Sequence, residues 1–67
     1  MKIILNNNPE DIKGNSITIN QLLKLKNYTF RMLIIKINGI LVQKGDYETT
    51  SIHDGDEVSV LHLISGG

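Results

Sequence analysis

Apolar residues recur along the chain with two different periods, and the changes of period predict the order of elements. Met1, Ile3 and Leu5 alternate with Lys2, Ile4 and Asn6, the period of a strand with one face on a core. A first strand is therefore expected over residues 1–6. Asn7-Asn8-Pro9 reads as a turn, and a weak second strand at a sheet edge is expected near Glu10 to Lys13, closed by Gly14-Asn15. The period then lengthens. Thr18 and Gln21 have capping-box spacing, Ile17 can staple onto Leu22, and Ile19, Leu22 and Leu23 share one helical face. Lys24 and Lys26 fall in the last turn, where the helix dipole favours cations, and Asn27 supplies a left-handed stop. So short a helix is marginal alone and must dock its apolar stripe on a sheet.

Period two returns in Met32 to Asn38, with Leu33, Ile35 and Ile37 opposed to Met32, Ile34 and Lys36. Asn38-Gly39 between Ile37 and Ile40 is a strong hairpin signal, because both residues tolerate positive φ. Ile40 to Val42 is expected to return as a short strand. Gly45 to Ser51 reads as irregular or as one short helical turn, and Asp54-Gly55-Asp56 as a tight turn. Glu57 to Ile64 forms the final strand, with Val58, Val60, His62 and Ile64 opposed to Glu57, Ser59, Leu61 and Leu63. The series strand, strand, helix, strand, short strand, strand describes a small α+β domain.

Length and composition narrow the chemistry. Sixty-seven residues allow one domain, taken as residues 1–64 with a flexible tail at 65–67, and a domain of this size has little room for a deep enclosed cavity. The chain has no cysteine, which excludes disulfides, thiolate metal sites and a cysteine nucleophile. Seven basic and seven acidic side chains cancel, which argues against general binding of nucleic acid or anionic membrane. The charges are segregated: five cations and no carboxylate lie between Lys24 and Lys44, and five carboxylates without Lys or Arg between Asp46 and Glu57. Two solvated faces account for this, as does a dipolar surface that orients a protein partner. The apolar start of the chain ends too soon at Asn6 for a signal peptide, and no apolar run approaches the ~20 residues of a membrane span. A cytoplasmic protein is expected.

Ser65-Gly66-Gly67 ends the sequence directly after the last strand. Fraying explains many termini, but two terminal glycines arise by chance in only roughly 0.5% of chains, so the pair draws notice without deciding anything alone. Without β-carbons, Gly66 and Gly67 can thread a channel too narrow for other residues and deliver a bare α-carboxylate. Three extended residues reach about 10 Å, enough to enter another protein's pocket.

Taken together, Ile37-Asn38-Gly39, Asp54-Gly55-Asp56-Glu57-Val58 and the terminal Gly66-Gly67 make the chain resemble the ubiquitin-like β-grasp sulfur carriers, and within them the ThiS family. The resemblance covers all 67 residues. The chain departs from the family pattern in two places: Lys44 and Tyr47 stand in the region where many members have a basic residue followed shortly by tryptophan, without matching it cleanly, and Ser65 stands where many have Gly or Ala. The resemblance implies a mixed sheet of four to five strands with one helix packed across one face. It also implies a mechanism without catalytic residues in the carrier itself. An activating enzyme like ThiF adenylates the Gly67 carboxylate with ATP, sulfur from a donor such as a cysteine desulfurase displaces AMP, and the thiocarboxylate passes its sulfur to a thiazole synthase like ThiG. Ser65 and Gly66 would thread the tail, and ATP would bind the partner and not this chain. The missing cysteine fits, since no internal thiol can attack the activated acyl group.

Other candidates carry less. His53 and His62 lack metal-ligand spacing, Asp54, Asp56 and Glu57 lack the rest of a calcium loop, and Asp46 and Glu48 have no argued pocket. The apolar residues on the wrong face say more. If the helix covers Ile3, Leu5, Leu33, Ile35, Val58 and Val60, then Ile4, Met32, Ile34, Leu61 and Leu63 lie opposite. The strand order implied by the resemblance gathers these five into one patch at the root of the tail. Such a patch either docks a partner or is covered by the aliphatic stems of Lys2 and Lys36. The rival readings are a molybdopterin synthase small subunit, a ubiquitin-like modifier ligated to lysines, and a plain β-grasp binding module.

Overall fold

The computed structural model describes residues 1–28 and 32–62. Five strands form a mixed sheet: β1 (Lys2–Leu5), β2 (Asn8–Asp11), β4 (Leu33–Ile37), β5 (Ile40–Val42) and β7 (Glu57–His62), in the order β2-β1-β7-β4-β5. The helix α1 (Ile19–Leu25) lies between β3 (Ser16–Thr18) and β4 in sequence, and β3 pairs with β6 (Ser51–His53) in a separate two-stranded sheet. This is the β-grasp arrangement, an α+β fold. The central strand β7 runs parallel to β1 and antiparallel to β4. It is also the strand that leads to the tail.

The core follows the alternation. Ile3 and Leu5 of β1, Ile35 of β4 and Val58 of β7 are buried with Ile19 and Leu22 of α1, and Leu33, Ile37 and Val60 pack against them. The capping box is complete. Gln21 N–H donates to Thr18 Oγ1 at 3.2 Å, and Thr18 N–H donates to Gln21 Oε1 at 2.9 Å. At the other end Asn27 has φ 59°, while Tyr28 N–H donates to the Leu23 carbonyl and Asn27 N–H to that of Lys24. That pair of bonds is the Schellman arrangement, which satisfies the last helical carbonyls. Lys26, at the C-cap, bonds Glu10 of β2 at 2.8 Å. This hydrogen bond is the main cause that raises the Lys26 pKa, with the Glu10 charge adding to it against partial desolvation.

Three features depart from the expectations. The first hairpin turns at Asn6-Asn7, with φ 50° and 68°, and not at Asn7-Asn8-Pro9. Two positive-φ residues make the compact turn that matches strand twist, so Leu5 pairs with Asn8 and β2 begins earlier. Pro9 then sits on the edge strand opposite Ile4, at a position where no amide is needed by the ladder. Second, Ser16 to Thr18 is a strand before it is a helix cap, and Ser51 to His53 is its partner, with Ile17 opposite Ile52. Third, the segment expected to be irregular or one short helical turn holds such a turn, beginning one residue earlier as the 3-10 helix Lys44–Asp46, and ends in strand β6 from Ser51 after delivering Tyr47 into the core at 8% exposure. Burial raises the Tyr47 pKa. The expected end of the last strand at Leu63 and Ile64 lies outside the described residues.

Candidate functional site at the end of the central strand

The site is assembled around β7, whose start is locked by two of the three sequence blocks that carried the resemblance. Asn38 in the β4–β5 turn has φ 51°. Its side-chain oxygen accepts the Glu57 N–H at 2.9 Å, its amide donates to Asp56 Oδ1 at 3.1 Å, and its own N–H donates to the Glu57 carbonyl at 2.7 Å. Asp56 Oδ2 in turn accepts the His53 N–H at 2.9 Å, and Asp54 Oδ1 accepts the Lys2 N–H at 2.6 Å. Gly55 between them has φ 87°. Of the three carboxylates that suggest a calcium loop, those of Asp54 and Asp56 are thus occupied in holding turns against strands. Among the described residues, no three His, Cys, Asp or Glu side chains gather as a metal site, and His53 and His62 stand on different sheets.

Further along β7, β1 turns away at Asn6. The Asn6 N–H donates to the Val58 carbonyl at 2.9 Å, and its side-chain oxygen then takes the place of the missing strand by accepting the Val60 N–H at 2.8 Å. Beyond that point β7 is held from the β4 side, with Ile34 opposite Leu61 and Leu33 opposite His62. Sequence reasoning had no signal for either asparagine clamp beyond the turn propensity of the residue.

The face of the sheet away from α1 carries the expected apolar residues, but it does not collect them into one patch. Ile34 and Leu61 are direct cross-strand neighbours, and Leu61 is 54% exposed. Met32, immediately before β4, is also half exposed. Ile4 is partly buried and opposes Glu57, four positions from Leu61 and therefore about 13 Å away along β7. Ser59 and Lys36, which are paired with each other, lie between. In exchange the structure adds Leu41, exposed and opposite Lys36 on the same face. Leu63, Ser65, Gly66 and Gly67 lie outside the described residues.

Among the described residues no charged side chain is buried, and burial is the usual route to a strongly perturbed catalytic acid or base. No helix of the described chain is long and apolar enough to cross a membrane. What the arrangement provides is a strand clamped at Glu57 and Val60, with a small apolar surface at Ile34 and Leu61.

Comparison with known proteins bears on the same strand and tail. No curated protein matches the chain at a significant level. Among solved structures, the crystal structure of the thiamine biosynthesis protein ThiS from Geobacter metallireducens superposes with a TM-score of 0.86 at 28% identity, covering 100% of both chains. The solution structure of a thiamine biosynthesis protein from Geobacter metallireducens superposes with a TM-score of 0.77 at 28% identity, covering 100% of this chain and 88% of that one. The model of the ThiS family matches residues 3–67, from the first strand to the terminal glycine. The chain belongs to the ThiS family.

Proposed function

We propose that this protein is a sulfur carrier of thiamine biosynthesis, a protein co-substrate whose reactive atom is the carboxyl carbon of Gly67. The observation that supports this reading best is family membership across nearly the whole chain, the Gly66-Gly67 pair included. The Gly67 carboxylate attacks the α-phosphorus of ATP held by an activating enzyme like ThiF, releasing pyrophosphate and leaving an acyl-adenylate. The outer sulfur of a donor persulfide, such as that of a cysteine desulfurase, adds to the acyl carbon and expels AMP, and a thiol then cleaves the resulting acyl disulfide, freeing the thiocarboxylate and leaving a disulfide on the donor side. The thiocarboxylate then donates its sulfur to a thiazole synthase like ThiG. Activation is required because a free carboxylate is a poor electrophile, whereas adenylation supplies a leaving group. The carrier contributes delivery. Ser65 and Gly66 are small enough to thread a narrow channel, and Ile34, Leu61, Met32 and Leu41 form the surface that docks at the channel mouth, with Leu63 a further partner-binding residue. ATP binds the partner, and the setting is the cytoplasm.

The test compares the full chain with one lacking Gly66 and Gly67. Deletion should leave the unfolding midpoint nearly unchanged, and pyrophosphate release with an activating enzyme and ATP should vanish. With a sulfur donor added, the intact chain should gain the mass of one oxygen-to-sulfur exchange on its C-terminal peptide. Pyrophosphate release by the truncated chain would overturn the carrier reading. Conjugates to lysine alone, with no sulfur-exchanged free chain, would turn it into protein tagging.

A further inference from the structure

We propose that the groove between the outer edge of β2 and α1 binds an extended peptide segment carrying a large apolar side chain flanked by carboxylates. The groove has a volume of about 730 Å³ and runs between residues 11–13 and the exposed stripe of α1 that includes Lys24 and Leu25. It lies at the edge of the sheet opposite β5, away from the Ile34–Leu61 surface, and the proposal is independent of the sulfur-carrier reading.

Three observations specify the occupant. The first is the backbone edge. β2 is an outermost strand, and its two-residue turn makes Leu5 and Asn8 the closing hydrogen-bonded pair, so bonding to β1 alternates from there. Glu10 faces β1, and Ile12 N–H donates to the Met1 carbonyl at 2.8 Å. The backbone groups of Asp11 and Lys13 are therefore directed away from β1, toward the groove, while Pro9 has no N–H and ends the usable edge. An edge of this kind accepts another extended chain. The second is apolar surface: the groove is lined by Leu25, 59% exposed, and by half-buried Ile17, over the buried Ile12. The helix spends Ile19 and Leu22 on the core and leaves Leu25 outside it. The third is charge. Lys13 and Lys24 both line the groove and neither forms an ion pair among the described residues, whereas the nearby Lys26 is paired with Glu10. The one carboxylate of the lining, Asp11, is opposed across the strands by Lys2, which offsets it. The net field favours a segment with acidic flanks. A partner seated there occupies the β2 edge and leaves the Ile34–Leu61 surface uncovered.

The experiment titrates the isotope-labelled full chain with the capped peptide Glu-Glu-Val-Ile-Val-Glu-Glu and follows backbone amide shifts. The expected result is a set of shifts at Asp11, Lys13, Lys24 and Leu25 that weakens with added salt, with no binding by the peptide whose glutamates are replaced by lysine. Leu25→Glu and Lys24→Glu, both at exposed positions, should each weaken binding at least about tenfold while amides elsewhere keep their positions. The proposal is overturned by an absence of shifts at millimolar peptide, by shifts at Ile34 and Leu61 instead, or by equal binding of the lysine peptide. Concentration-dependent shifts at these amides without any peptide would also overturn it, since the occupant would then be a second copy of the chain.

Discussion

Replacing Asn38 probes the clamp that ties the two sequence blocks together. The Asn38 side chain makes two hydrogen bonds across to the β6–β7 turn, to Asp56 Oδ1 and from Glu57 N–H. Both are solvent-exposed, so the lower part of the range for a net hydrogen bond applies, about 0.5–1 kcal/mol each. Alanine must also adopt φ near 51°, a left-handed conformation that costs an L-residue with a β-carbon roughly 1 kcal/mol. Asn38→Ala should therefore destabilise the domain by about 2–3 kcal/mol. A chain of this length has about 3–10 kcal/mol in total, so the loss would be plain in a urea titration. Asn38→Gly accepts the backbone angle and loses only the side-chain bonds, and should be milder than alanine by about 0.5–1 kcal/mol. A double-mutant cycle with Asp56→Ala isolates the cross-turn bond. A change within 0.5 kcal/mol for Asn38→Ala, or a glycine variant less stable than the alanine one, would refute the clamp as a source of stability.

Two further outcomes test the face assignment and the alkaline limit. Leu61→Asp should cost less than about 1 kcal/mol, because its side chain is already half in water, and should strongly weaken activation by the partner, whereas Val58→Asp places a charge at a position 3% exposed and should unfold the domain in a thermal melt; the reverse order would mean the faces are inverted. Tyr47 and Lys26 both hold their protons more tightly when folded, so stability is complete below the ordinary tyrosine value of 10.0 and falls as pH rises through the raised folded values; Tyr47→Phe should flatten that decline in a pH series of unfolding midpoints.

The sequence showed its elements where a physical signal spans several residues and hid them where it does not. Alternation over six to eight positions marked β1, β4 and β7, and the Thr18–Gln21 spacing marked the helix start. β3 and β6 are three residues each, too short to display a period, and their pairing brings together positions 35 residues apart in Ile17 and Ile52. Nothing local to either strand encodes that partner. Tyr47 was missed for a related reason: a 3-10 turn lifts it into the core, and a single apolar residue in a polar segment has no periodicity of its own.

The candidate docking surface shows a different limit. Alternation assigns each strand residue to a face, and every such assignment that can be checked at Ile3, Leu5, Ile35 and Val58 holds. It does not assign register, the offset that decides which same-face residues are neighbours. Register here is set by where the turns close. The Asn6-Asn7 turn ends β1 low on β7, which puts Ile4 beside Glu57, and the Asn38-Gly39 turn pairs Ile37 with Ile40, which puts Leu41 beside Lys36. The apolar surface around Leu61 is therefore built on β7, β4 and β5 and not on β1. Two asparagine clamps, at Asn38 and Asn6, hold β7 in the register that makes it so.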